Sequence, residues 1–386
     1  MARAANPPRD ASLAPASTLK FPGDLGFGVE VKRRVNQYLT DNGLSPHDSP
    51  RMYVKTAVLL LWFGLSYVLL VFAATTWWQA VPLALSLACA MAGIGFGIQH
   101  DANHSAYSNR PAINRLMGIT LDALGASSYL WRVKHNIAHH TYTNVESGDD
   151  DIDLGPLARL SPGQKRLRFH RLQQFYLWAL YGLLLPKWHF IYDFKNVAQA
   201  QIARSPFARP RGWELVGLIG GKALFFGWAF VVPMFFHRWW VVLLFYVGTA
   251  YVLSVILSVT FQLAHCVEEA DFPPPPLGDE RLPDAWAVHQ VQTTVDFARD
   301  NRVLTWYLGG LNFQIEHHLF PRICHVYYPA IAPIVEATCA EFGVRYSAHR
   351  TLRGALRSHW RWLRRMGRAR PSPPHHEQRS ATTRLG

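Results

Sequence analysis

Charge is scarce in this chain of 386 residues: Asp, Glu, Lys and Arg make up 17% of it, against 49% hydrophobic residues. Cysteine is scarcer. Cys89, Cys266, Cys324 and Cys339 form no CxxC pair, so no disulfide framework is implied and reduced thiols are expected. There is no repeat of fixed period. There is also no early apolar run, so a cleavable signal peptide is not expected in the polar, Pro-rich N-terminus. Acidic residues number 26 against 39 basic ones, a net charge of +13. That surplus does not call for nucleic acid as a partner, because Lys and Arg beside a membrane meet anionic lipid head groups.

The apolar residues are gathered into four runs, roughly 57–74, 81–98, 215–236 and 239–263. A spanning helix needs about 20 apolar residues. The first two runs carry no charge, and the third carries Lys222 near its start, where a long side chain is expected to reach the interface. The links 75–80 and 237–238 are too short to be domains, so the runs form two hairpins. Residues 1–56 hold eight Lys and Arg, 99–212 hold fourteen and 263–386 hold fifteen, which is 37 of the 39. The positive-inside rule then places all three long segments in the cytoplasm. The fold expected is an all-α membrane protein: four transmembrane helices in two hairpins, under a cytoplasmic helical cap. Residues 1–50 are an N-terminal cytoplasmic segment, partly disordered over 1–22, and 51–346 form the membrane domain. Residues 347–386 form a basic tail, dispensable for chemistry. Within the cap, 175–192 is aromatic but broken by Pro186 and Lys187, and reads as an interfacial helix pair. The proline run 273–276 must be a loop.

Histidine is abundant, with 18 copies, and its placement is the main chemical signal. His-Asp-Ala-Asn-His gives His100 and His104. His-Asn-Ile-Ala-His-His gives His135, His139 and His140. Gln-Ile-Glu-His-His gives Gln314, His317 and His318. Residues three or four apart share one helix face, so each group can aim at one region. His100 falls two residues after the second apolar run and His265 two after the fourth, delivering an imidazole from each helix exit to one membrane surface. Neutral imidazole suits Fe, Zn, Cu or Ni. Eight imidazoles exceed what one ion binds, so two metals are the simpler inference.

The strings HDANH, HNIAHHTYTN and QIEHHLFP resemble the three histidine boxes of the membrane fatty-acid desaturase family, with the likeness running from about residue 50 to about 346. The resemblance implies two irons, Fe2+/Fe3+, held on the cytoplasmic side of four spanning helices. His100, His104, His135, His139, His140, His317 and His318 would be ligands, and His265, in FQLAH, would be the family's extra histidine. Gln314 stands where the commoner third box has its first His, and is either a ligand or water holder or a packing residue. That replacement resembles the front-end (delta-5/delta-6 type) desaturases, which insert a double bond between an existing one and the carboxyl end. Those enzymes often carry a cytochrome b5 domain with an HPGG motif; this sequence has no HPGG, so that domain is not expected.

The chemistry implied is O2-dependent desaturation of a fatty-acyl chain, carried as a CoA thioester or a phospholipid ester. No residue beyond the metal ligands is assigned a catalytic role. Breaking an unactivated C–H bond needs a redox metal and O2 as co-substrate. Electrons must come from an external donor such as ferredoxin, or cytochrome b5 with its reductase, because no flavin or heme motif is present. Asp101, Glu316, the run Asp149, Asp150 and Asp151, and Asp153 are candidates to orient the imidazoles, although the acidic run also reads as a solvated loop. Trp131, Tyr129 and Trp306 are candidates to line an acyl tunnel. The Arg-rich tail reads as a lipid-surface helix or as a dock for an acidic electron carrier. The alternative enzyme is a hydroxylase or ketolase acting on a lipid or hydrocarbon. A metal transporter fits less well, since transport sites lie near mid-bilayer. The location expected is the bacterial cytoplasmic membrane, with the site facing the cytoplasm.

Overall fold

The computed structural model describes residues 19–146, 148–202, 205–275 and 281–368. The disorder expected over 1–22 lies outside this set for residues 1–18, as do Pro276 and the tail beyond Arg368. The chain is built from helices: α1 (Phe27–Asp41), α2 (Pro50–Ala73), α3 (Trp77–Asn103), α4 (128–142), α5 (173–199), α6 (Trp213–Met234), α7 (Trp239–His265), α8 (Trp286–Gln292), α9 (Gln314–Leu319), α10 (Tyr328–Glu341) and α11 (Leu352–Arg368), with shorter turns between them. Among the described residues strand is confined to two short pairs, 201–202 with 205–206 and 296–297 with 348–349.

Four helices among the described residues are long and apolar enough to cross a membrane: α2, α3, α6 and α7. They are the four runs expected, and this is a multi-pass membrane protein. Three of them are longer than their apolar stretch, because backbone i to i−4 bonding does not require apolar side chains, while α6 is as long as its run and set two residues earlier. So α2 starts at Pro50, with proline at the N-terminal position it tolerates best, and takes in Arg51 and Lys55. Likewise α3 continues through His100 to Asn103, and α7 ends on His265. In α3, 61% of the apolar window is buried, against 22%, 17% and 22% in the other three, so α3 is the central helix and the others face outward.

Polar contacts lock the bundle. The Trp62 indole donates to Ser86 Oγ at 2.8 Å and the Tyr67 hydroxyl to the Trp228 carbonyl at 2.6 Å. His237 Nε2–H donates to the Val71 carbonyl at 2.7 Å, which puts both hairpin links at one end of the bundle. Lys222 does not reach an interface. It is buried against Asp193 Oδ2 at 2.8 Å and donates to the carbonyls of Gly125 and His189, tying α6 to α5. A buried ammonium needs such partners, because desolvation leaves it no other stabilisation.

As expected, 175–192 is not a span. It lies inside α5, interrupted by a 3₁₀ turn at Tyr181–Leu183 and a π turn at Trp188–Tyr192, and packs on α7, where Ser254 Oγ receives the Leu185 N–H. Phe175, Leu183, Phe190, Ile191 and Phe194 stay exposed. In the cap, α1 buries Phe27, Val31, Val35 and Leu39 against Ile331, Val335 and Cys339 of α10. The stripe repeats every four residues, as one helix face requires. The segment read as a basic tail is packed over its described part: α11 buries Trp362, Leu363 and Met366 among Leu160, Leu177 and Tyr181. His359 donates from Nδ1 to the Cys266 carbonyl and meets the Tyr181 hydroxyl at 2.8 Å.

Candidate metal centre

Three helix segments deliver the boxes to one place. α3 widens into a π turn at Gly95–Gln99 just before His100, and His100 and His104 follow on one face with ring centroids 4.8 Å apart. α4 is π-helical over Arg132–His139. Because a π helix bonds i to i+5, residues five apart come into register. His135 and His140 accordingly meet, Nε2 to Nε2, at 3.2 Å, while His135 stacks on Trp131 with centroids 4.3 Å apart. Four-residue spacing had paired His135 with His139 only. The third box rides on α9, whose His317 and His318 rings are turned 86° to each other. The chain reaches α9 through Gly309 and Gly310, both at positive φ; a Cβ on Gly309 would collide with the Phe96 carbonyl of α3.

The eight imidazoles form two groups. His100, His104, His135 and His317 offer ligand atoms within 4.8 Å of one another, as do His139, His265 and His318. His140 lies between the groups, completing a third set with His317 and His318. All eight are buried. Burial first, and neighbouring imidazoles next, hold His104, His135, His140, His317 and His318 well below the ordinary histidine range, in the neutral form that binds metal. Burial is the largest influence on His139 and opposes its charged form, but the Asp149 and Asp151 carboxylates together raise its pKa.

The outward nitrogens are held by the protein. His139 Nδ1 donates to Asp149 at 3.0 Å, His318 Nδ1 to Gln290 Oε1 at 2.8 Å and His265 Nδ1 to the Thr293 carbonyl at 3.3 Å; His317 Nδ1 lies 3.3 Å from the Tyr328 hydroxyl. The inward nitrogens are not. Nε2 of His100, His104, His265, His317 and His318, and Nδ1 of His140, are buried with no hydrogen-bond partner in the structure. An unsatisfied buried polar atom costs about 1–3 kcal/mol. A cluster of six is accounted for if the atoms face bound cations, so the donor set fits a pair of transition-metal ions. Gln314 is 1% exposed, and neither its amide oxygen nor its nitrogen has a partner.

Of the acidic candidates, Asp149 orients an imidazole, so the run is not simply a solvated loop. Asp101 Oδ1 stands 4.0 Å from His100 Nδ1, while its Oδ2 receives His325 Nδ1–H at 2.8 Å. Glu316 touches no imidazole; it shares a buried cluster with Asp296 and the Tyr346 hydroxyl, where burial and the Asp296 charge push its pKa far up. Sequence reasoning missed several supports. Lys55 Nζ donates to His325 Nε2 at 2.9 Å, extending a buried chain from α2 through His325 to Asp101 beside His100. Asn144, at φ 59°, places its side-chain amide within 3.0–3.2 Å of the carbonyls of His265, Asp271 and Thr293, joining the second box to the end of α7. The available signal was Lys55 itself, a charge at the foot of an apolar run.

A narrow cavity of about 100 Å³ reaches this cluster, lined by His135, Trp131, Phe261 and Leu257 among others. It shares Met91 and Leu253 with a larger apolar crevice of about 360 Å³, which extends to His237 at the hairpin end. Of the aromatic candidates, Trp131 lines the channel. Tyr129 instead donates to the Ala208 carbonyl, and Trp306 is half-exposed beneath Lys55.

Four membrane-spanning helices closed at one end by a buried polyhistidine cluster define an integral-membrane protein whose imidazoles could hold metal. The family model for fatty acid desaturase matches residues 75–350, and the chain belongs to the fatty acid desaturase family, as an oxidoreductase. It is 38% identical to a sn-1 linoleoyl-lipid 6-desaturase of Synechocystis sp. over 92% of this chain and 99% of that protein. It is 37% identical to the protein of the same name from Arthrospira platensis, over 91% of this chain and 95% of the relative. With an acyl-lipid (8-3)-desaturase of Physcomitrium patens it shares 37% identity over 88% of this chain and 72% of that one.

Proposed function

We propose that this chain is a front-end acyl-lipid desaturase of a bacterial cytoplasmic membrane, with two irons held on the cytoplasmic side. The observation that carries the reading is the pair of imidazole groups around His140, with inward nitrogens unpartnered, at the closed end of an apolar channel. His100, His104, His135 and His317 would hold one iron and His139, His265 and His318 the other, with His140 between them and Gln314 in the same shell as a ligand or holder of water. Bound iron with O2 supplies the oxidant for an unactivated C–H bond: a CH2–CH2 unit loses two hydrogens, and O2 takes up these, two donor electrons and two protons to leave as two waters.

The protein's own residues bind, orient and exclude water. Trp131, Phe261 and Leu257 would grip the acyl chain beside His135, and the crevice beyond Met91 and Leu253 would take its methyl end. The front-end assignment draws on Gln314 and on relatives named as linoleoyl-lipid 6-desaturases. The orientation draws on the 37 of 39 basic residues that lie outside the four apolar runs and their two links.

Expression in a host lacking polyunsaturated lipids, fed linoleate or a saturated acid separately, tests this. The expected product carries its new double bond on the carboxyl side of an existing one, and purified protein holds about two irons. Conversion of the saturated chain alone overturns the front-end assignment; a hydroxylated product overturns desaturation itself.

A further inference from the structure

The acyl channel approaches the histidines from within the membrane body, and a second opening approaches them from the cap. A groove of about 690 Å³ runs between α1, Trp286 of α8 and the 319–323 segment that follows the third box. None of its lining residues lies on a spanning helix, and it shares none with the acyl channel. The buried Leu319, Phe320 and Ile323 form an apolar floor, the exposed Val29 lies beside it, and Lys32 and Arg322 stand exposed on its rim. Among its described lining residues the one acidic side chain, Asp24, is engaged in capping α1, accepting the N–H groups of Gly26, Gly28 and Val29. The groove touches the metal cluster twice. The Trp286 indole, 37% exposed at its wall, donates to the His140 carbonyl at 3.2 Å, and Leu319 directly follows His318.

We propose that this groove is the docking site of a small acidic one-electron carrier protein, with Trp286 as the contact through which the electron reaches the histidine cluster. An apolar centre inside a basic rim suits a transient, charge-steered partner. Trp286 supplies a conjugated ring bonded to the backbone of the histidine that joins both imidazole groups. Each event oxidises one reduced carrier by one electron and delivers that electron to the cluster, so two carriers serve one turnover. An acyl-CoA head group would also meet Lys32 and Arg322, but its chain would have to cross the histidine cluster to enter the acyl channel. The inference rests on the desaturase reading, which alone requires an external donor.

The test uses full-length protein in lipid nanodiscs and an acidic [2Fe–2S] ferredoxin as the probe. Ferredoxin should bind the metal-free and iron-loaded protein at low salt, and the double reversal K32E/R322E should weaken binding at least about tenfold. A reversal on α11, R353E/R357E, should leave binding unchanged. W286F should bind as wild type, while the absorbance of its iron changes at least about tenfold more slowly when reduced ferredoxin is added, and at the wild-type rate when dithionite is added. Equal weakening by both reversals overturns the location. Wild-type binding by K32E/R322E, together with lost coenzyme A binding, assigns the groove to a substrate head group and overturns the proposal. Unchanged ferredoxin reduction in W286F overturns the route. If wild-type protein with dithionite and O2 forms no unsaturated product, it is the desaturase reading that fails, and the binding data still decide the groove.

Discussion

The two ends of the helical bundle are built on opposite principles. At the hairpin end the 360 Å³ crevice is walled mostly by apolar side chains such as Leu70, Phe225 and Phe245, and one hydrogen bond, His237 to Val71, marks where the links meet. At the other end eight imidazoles crowd together, and the outward nitrogens of His139, His265, His317 and His318 each meet a partner from another segment. Apolar packing is non-directional, so the first end requires only volume and shape. Ligand geometry is directional, so the second end depends on residues far from the boxes in sequence. Tolerance to substitution should therefore fall steeply from one end to the other.

The largest effect belongs to the metal end. His140→Ala and His318→Ala should each abolish product and lower bound iron, read by product chromatography and metal analysis; wild-type iron content with wild-type turnover would contradict the shared role of His140. Next comes truncation after Ser347. Fully burying one large apolar side chain stabilises by about 1.5–3 kcal/mol, and this deletion strips Trp362, Leu363 and Met366 from the core. Folded protein should be lost, as gel filtration in detergent would show, whereas a free tail would leave the elution profile intact. Lys55→Met and His325→Ala act one step behind the ligands, and should weaken iron binding about 10–100-fold in a chelator competition.

The channel joining the two ends gives a smaller effect. Met91→Trp narrows the passage into the far crevice and should favour shorter over longer acyl chains in the product profile, with iron content unchanged. Smallest is His237→Ala, which removes one hydrogen bond worth about 1 kcal/mol. Activity should persist, with a slight drop in melting temperature; inactivity equal to that of His140→Ala would erase the distinction between the ends.

Much of this was legible in the chain because hydropathy and spacing are local. Four apolar runs with two short links define the hairpins, and the boxes define every histidine of the two groups except His265, which its place after the fourth run supplied. What spacing missed was non-local. Lys222 reads as a surface-seeking lysine until Asp193, on another helix, is seen beside it. The Arg-rich segment 352–368 reads as a tail because its charge dominates, while the stripe of Ala355, Trp362, Leu363 and Met366 acts only when α5 lies against it.

The sequence by itself determined that the chain spans a membrane four times and gathers imidazoles at the ends of α3 and α7, since a run of apolar residues and an i, i+4 pair carry their meaning within one helix. Only the tertiary structure decided which histidines share a group, that a π helix sets His140 against His135, and that Lys55, His325, Gln290 and Trp286 stand around them. Those relations join residues up to 270 positions apart, and hydrogen bonds and burial at that separation exist only once the helices have packed.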